Sequence, residues 1–141
     1  MASFSLAGFI TRYDGRRVSG YSSSGGQCVD LMRRYLLERF GSAWHGIPGT
    51  GTNGAESIWD VCDTDIWSKH GRASGFIPQR NALLIMRAHG DNSYGHVAIV
   101  RDDSTANSIY TFDQNFSRYR RCSRERHPVD RSIIGYLVAK R

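Results

Sequence analysis

An α+β fold, with helices packed on an antiparallel sheet, is the architecture this sequence predicts, and three observations carry the prediction. Apolar side chains repeat at helical spacing over residues 28–40. Four short strand-type runs then follow, at 82–86, 96–100, 108–112 and 133–138. Helices first and strands afterwards give the segregated order of an α+β protein, not the alternation of a parallel α/β one. No GxxxxGK[ST] occurs, so a P-loop is absent from the reading.

The elements follow in order. Met1 to Ile10 is a short apolar start without a basic region before it, read as mature structure and not as a cleaved leader. Tyr13-Asp14-Gly15 is a turn signal, and Ser19 to Ser24 a small polar run, together a structured loop. Gly25 and Gly26 lead into a helix whose apolar stripe is Cys28, Leu31, Met32, Tyr35, Leu36 and Phe40, stopped by Gly41. Gly46 to Thr52 is too turn-rich for regular structure. Asn53 with Glu56 is close to a capping box, predicting a second helix over about 54–62 with Ile58, Val61 and Cys62 inside. Residues 63–80 read as mixed loop anchored by Ile66 and Trp67. The strands are Ala82 to Met86 after Pro78, His96 to Val100, Ser108 to Phe112 and Ile133 to Val138, with turns at Gly90-Asp91-Asn92 and Asp102-Asp103. With no repeat and no linker, residues 1–141 read as a single domain, enough chain to bury roughly two-thirds of its extended surface.

Composition narrows the function classes. No run approaches the ~18 apolar residues of a membrane span. Three cysteines, at 28, 62 and 122, match no zinc spacing and cannot all pair, so at least one thiol is free. Cys62 reads as a small buried hydrophobe and Cys122 as incidental in a polar stretch, a disulfide between them requiring an oxidising compartment. The net charge of +6 is mostly arginine, and Arg118, Arg120, Arg121, Arg124, Arg126 and Arg131 crowd one segment. Such a field attracts anionic polymers: nucleic acid, membrane surface or cell wall.

The chemistry begins at Cys28. A thiol on the first turn of a helix meets unpaired N–H groups and the positive end of the dipole, which favour the thiolate. A thiolate needs an imidazole within reach and a third group to fix its tautomer. His96 heads a strand, and the strand from Ser108 ends in Asp113-Gln114-Asn115, all able to accept from His Nδ1. A hairpin turning at Asp102 to Asn107 would set His96 opposite Asp113.

Gly26-Gln27-Cys28-Val29-Asp30-Leu31 with Arg34-Tyr35, then Gly95-His96-Val97-Ala98-Ile99-Val100, then Asp113-Gln114-Asn115, resemble the CHAP family of cysteine- and histidine-dependent amidohydrolases and peptidases. The resemblance runs from about Ser19 to the end, with Ile133 to Leu137 similar to the family's closing strand. It implies a papain-like fold and cleavage of peptidoglycan amide bonds, as in phage endolysins and bacterial autolysins. It carries the nucleophile onto Cys28, the general base onto His96, and the orienting role onto Asp113, where the family often has glutamate, or onto Asn115. Gln27, beside the Cys28 N–H, falls in the oxyanion region. Arg118, Arg120, Arg121, Arg124 and Arg126 become candidates for substrate or wall targeting.

Some members bind calcium in a DxDG-type loop just before the nucleophile. Here residues 19–26 hold no carboxylate, and Asp30 alone cannot supply the six or more oxygens calcium takes. No metal and no cofactor is therefore expected. The expected partner is peptidoglycan, with possible use of the anionic envelope; the protein is expected to be a monomer made in the cytoplasm without a signal peptide. His45, His70, His89 and His127 read as solvent-facing loop residues, Trp44 and Trp67 as groove or core, Trp59 as core. Asp30 reads as a helix N-terminal carboxylate worth about 0.3–1 kcal/mol. Two alternatives stand beside the wall hydrolase. An amidase of a small conjugate such as glutathionylspermidine would need a carboxylate-lined amine pocket. An arginine-rich nucleic-acid module would need a basic recognition helix or interleaved aromatics, which the chain lacks.

Overall fold

A computed structural model of the protein describes residues 3–49, 54–88 and 94–140. Its elements are α1 (Leu6–Tyr13), α2 (Cys28–Phe40), a 3-10 turn (Gly54–Ser57) running into α3 (Ile58–Val61), β1 (Trp67–Gly71), β2 (Leu83–Met86), β3 (His96–Val100), β4 (Ser108–Gln114), β5 (Cys122–Pro128) and β6 (Ile133–Ala139). The strands form one sheet in the order β1-β6-β2-β3-β4-β5, and every pairing is antiparallel. The α+β expectation holds. Asn53, Thr50 to Thr52, His89 and the Gly90-Asp91-Asn92 turn lie outside the described residues.

Leu31, Tyr35 and Leu36 of α2 and Phe9 of α1 bury against Leu83, Ile85, Val97, Ile99, Phe112 and Leu137 on one face of the sheet. Phe9 meets Tyr35 at 5.7 Å and Phe112 at 6.3 Å between ring centroids, both edge-on, contacts worth about 0.5–1.5 kcal/mol each beyond their area. The other face buries Leu84, Met86, Ala98, Val100, Ile133 and Tyr136 under Phe76. Burial on both faces is why β2 and β3 read as continuous apolar runs without alternation. Helix α2 ends where predicted: Gly41 takes φ +80° and its N–H donates to Leu37 O at 2.8 Å.

Three elements escaped the sequence reading. Helix α1 is started by Ser5, whose hydroxyl accepts from Gly8 N at 3.1 Å, and it buries Leu6, Phe9 and Ile10 at the i, i+3, i+4 spacing. Strands β1 and β5 are the two edges of the sheet, where polar and charged side chains are tolerated, so WSKHG and CSRERHP carry no apolar run. The pairing of β3 with β4 is also shorter than expected. Partners are Ile99 with Phe112 and Val100 with Thr111, so the ladder holds only at the Val100 end. His96 and Asp113 are diagonal neighbours, not opposite ones.

Candidate active site

The loop before α2 is built around Asp30, which is fully buried. Its Oδ1 accepts from the N–H groups of Tyr21 (2.9 Å) and Ser22 (2.8 Å). Its Oδ2 accepts from Gln27 N (2.9 Å) and from the Ser22 hydroxyl (2.5 Å). Burial opposes the charge, yet the bonds from Ser22, Gln27 and Tyr21 prevail and hold this carboxyl below its ordinary range. The reading of Asp30 as a simple dipole partner is corrected: it organises residues 21–27 and thereby sets where Cys28 starts the helix.

The end of β4 reaches this loop from the other side. Gln114, fully buried, donates from Nε2 to Val18 O (2.9 Å) and Gln27 O (2.7 Å) and accepts from Val18 N (2.6 Å). Sequence reasoning counted Gln114 among three acceptors open to His96 and missed this clamp, because a bond between segments 96 residues apart leaves no local signal. Asn115 turns away from His96. Its Nδ2 donates to Gln27 Oε1 (3.0 Å) and its Oδ1 accepts from Arg120 N (2.9 Å). Gln27 Nε2 in turn donates to Ser24 Oγ at 3.2 Å.

His96 is buried, and its Nε2 lies 2.7 Å from Asp113 Oδ2. The ring nitrogen engaged is therefore Nε2, where the sequence reading had Nδ1. The Cys28 side chain also acts on this imidazole and favours its charged form. Asp113 carries a further imidazole: His127 Nε2 is 2.8 Å from the same Oδ2, and the Thr111 hydroxyl donates to Oδ1. His127 is only 1% exposed, so its reading as a solvent-facing loop histidine is corrected. The signal was hidden in the polar edge strand β5. Half-exposed Phe116 lies over both rings, 5.1 Å from His96 and 4.5 Å from His127 between centroids.

Electrostatics fix the protonation of this cluster. Burial opposes the His96 cation, but the hydrogen bond it donates to Asp113 and the Cys28 side chain raise its pKa to about 10. Asp113 is likewise penalised by burial, yet His127 and His96 bring it down to about 2. At neutral pH Asp113 is a carboxylate and His96 an imidazolium facing Cys28. That sets an imidazole beside the sulfur, the partner a cysteine nucleophile requires.

His96, Asp113 and His127 also make up the grouping with metal-ligand chemistry found among the described residues, their ligand atoms within 4.8 Å of one another. Both Nε2 atoms stand at hydrogen-bond distance from one carboxylate oxygen, so protons fill the positions a cation would take. A zinc ion would have to displace both and sit about 2.0–2.1 Å from each nitrogen.

The remaining candidates scatter. Arg118, Arg120 and Arg121 lie in the β4–β5 turn, where Arg120 reaches Ser24 O of the loop before Cys28 (3.3 Å), whereas Arg124 pairs with Asp14 (2.9 Å) and Arg126 bonds Ser108 Oγ (2.9 Å) along the edge strand. Trp67 is core, its Nε1 donating to His45 O; Trp59 packs against the core; Trp44 is half-exposed over the Arg33 guanidinium at 3.7 Å. His45 stacks on Phe40 and His70 on Phe76, which corrects their solvent-facing reading. All three cysteines are free. Cys62 is buried as expected, but Cys122 is not incidental: it is core, and burial pushes its thiol to about 12.

The sequence profile of the CHAP domain matches residues 17–115. Among solved structures, Ly7917, crystallised with the hydrolysis product of MDP, aligns with TM-score 0.70 and 17% identity over 95% of this chain and 61% of its own. The wild-type endolysin LysIME-EF1 aligns with TM-score 0.75 and 19% identity over 94% and 62%. An N-acetylmuramoyl-L-alanine amidase from Staphylococcus aureus aligns with TM-score 0.58 and 20% identity over 88% and 34%. These likenesses speak to the fold, and the chain spans about three-fifths of the first two proteins. No curated protein sequence matches the chain.

Proposed function

We propose, from the premise that the chain belongs to the CHAP domain family, that residues 1–141 act as one catalytic unit hydrolysing amide or peptide bonds of bacterial peptidoglycan. The observation that carries this reading is the buried His96–Asp113 pair, 2.7 Å apart, whose imidazole also feels the Cys28 side chain. The cell wall is then the place of action.

The Cys28 thiolate attacks the substrate carbonyl, forming the S–C bond while the π electrons move to oxygen. The Cys28 N–H at the helix start, a donor with no intrahelical acceptor, faces the resulting oxyanion, with Gln27 beside it. His96 gives its Nδ1 proton to the amide nitrogen, the C–N bond breaks, and the amine leaves. Water then gives a proton to His96 and its oxygen to the thioester, releasing the acid and restoring the ion pair. Asp113 holds Nε2–H throughout, His127 and Thr111 hold Asp113, and Phe116 keeps water from the bonds between them. The small-conjugate amidase is less well supported: of the carboxylates nearest Cys28, Asp30 and Asp113 are both fully committed, leaving none to receive a polyamine.

Purified sacculi digested with the protein should release soluble fragments. Mass spectrometry would show new termini either at the muramoyl–alanine amide or within the peptide, which assigns the bond. Intact sacculi from several wall chemotypes after prolonged incubation would overturn the proposal.

A further inference from the structure

We propose that Arg17 and Arg120, which meet at the loop that leads into the nucleophile helix, form a subsite for a carboxylate of the peptide substrate; this rests on the peptidoglycan reading and specifies which feature of the peptide is recognised. The two residues are 103 positions apart yet converge on one atom: Arg17 Nη2 lies 2.8 Å and Arg120 Nη1 3.3 Å from Ser24 O. They also close over Gly26, two residues before Cys28. A Cβ at Gly26 would fall 2.8 Å from Arg120 Cβ and 3.1 Å from Arg17 Nε, so a side chain there would have to push the arginines aside.

Like charges brought together repel, and this pair has no anion between them. Among the described residues neither guanidinium has a carboxylate within ion-pair distance; Asp14, the acidic group in the neighbouring segment, is taken by Arg124. Arg120 stands over the Tyr119 ring at 5.2 Å, and its buried Nε has no hydrogen-bond partner. The backbone that presents it is strained. Asn115 (φ +60°) and Arg120 (φ +53°) both take the left-handed conformation that non-glycine residues disfavour.

The turn is nevertheless held by Arg120 N donating to Asn115 Oδ1 and by Asn115 Nδ2 donating to Gln27 Oε1. One hydrogen-bonded path thus runs from Arg120 to the residue preceding the nucleophile. Guanidinium forks bind carboxylates with two parallel charge-assisted bonds, and a peptide bearing free carboxylates offers that group where an amidated one does not.

The test uses the Cys28→Ala protein, which binds without turnover, and calorimetry with a synthetic stem peptide. One form has its carboxylates free; in the other they are carboxamides. The free acid should bind about tenfold more tightly, and Arg17→Gln with Arg120→Gln should erase that preference. Equal affinity for acid and amide overturns the subsite, as does a preference that survives both substitutions. Inorganic phosphate competing as well as the free acid would overturn it too, marking a general anion site. Should the double variant fail to fold, the acid–amide comparison on the parent protein decides. Intact sacculi would count against the hydrolase alone, because this difference in binding is read without hydrolysis.

Discussion

Replacing Cys28 by alanine is expected to lower turnover about ten-thousandfold or more while leaving the fold in place. The two halves of this expectation have separate causes. Turnover fails because the covalent intermediate needs this thiol; the other cysteines, Cys62 and Cys122, are buried, and burial raises both. The fold survives because the loop is held by Asp30, Gln114 and the Ser22 hydroxyl, none of which uses the Cys28 side chain. Thermal unfolding of Cys28→Ala should stay close to that of the parent, within about 1 kcal/mol. Hydrolysis of sacculi by this variant at parental rate would remove Cys28 from the mechanism.

The second large effect falls on Asp113. Its Oδ2 receives both imidazoles, so an asparagine there offers one acceptor and turns an NH2 donor toward groups that are themselves donors. Asp113→Asn is expected to cost about a thousand- to ten-thousandfold in kcat/KM, as when the imidazole is left in the wrong tautomer. His127→Leu removes one charged hydrogen bond behind the carboxylate and should cost about ten- to a hundredfold, from about 1.5–3 kcal/mol. The two losses should not add, because His127 acts through Asp113.

Stability gives an independent readout of the same pair. His96 is raised from 6.5 to about 10, so its contribution is full below pH 6.5 and drains as pH rises through 10. Asp113 is lowered from 3.8 to about 2, so its contribution is present above 3.8 and lost as pH falls through 2. The gap in unfolding free energy between parent and Asp113→Asn should be widest between these limits and narrow outside them. A gap independent of pH would mean that the carboxylate and imidazolium are not coupled.

The parts of this site that were legible in sequence are those with local signals. A helical stripe beginning at Cys28, a β-type run headed by His96 and a polar strand end at 113–115 each announce themselves within a few residues. What sequence could not supply is what joins them. Gln114 bonds to Val18 and Gln27 across the chain, His127 enters from an edge strand whose composition looks like solvated surface, and Phe116 covers both rings from a turn. The choice between Asp113 and Asn115 as the neighbour of His96 depended on where each side chain points after the β3–β4 ladder ends. A hydrophobic pattern does not encode that. The register of β3 against β4, read as placing His96 opposite Asp113, was off for the same reason.

The most direct test of the Cys28–His96 pair is the rate of Cys28 alkylation by iodoacetamide across pH, in the parent and in His96→Ala, with the site confirmed by peptide mass. A sulfur at a helix start with an imidazole partner should still alkylate at pH 6, and the His96→Ala protein should lose that reactivity. A parent rate that rises with the midpoint of an ordinary thiol, about 8.5, and is indifferent to His96 would contradict the account.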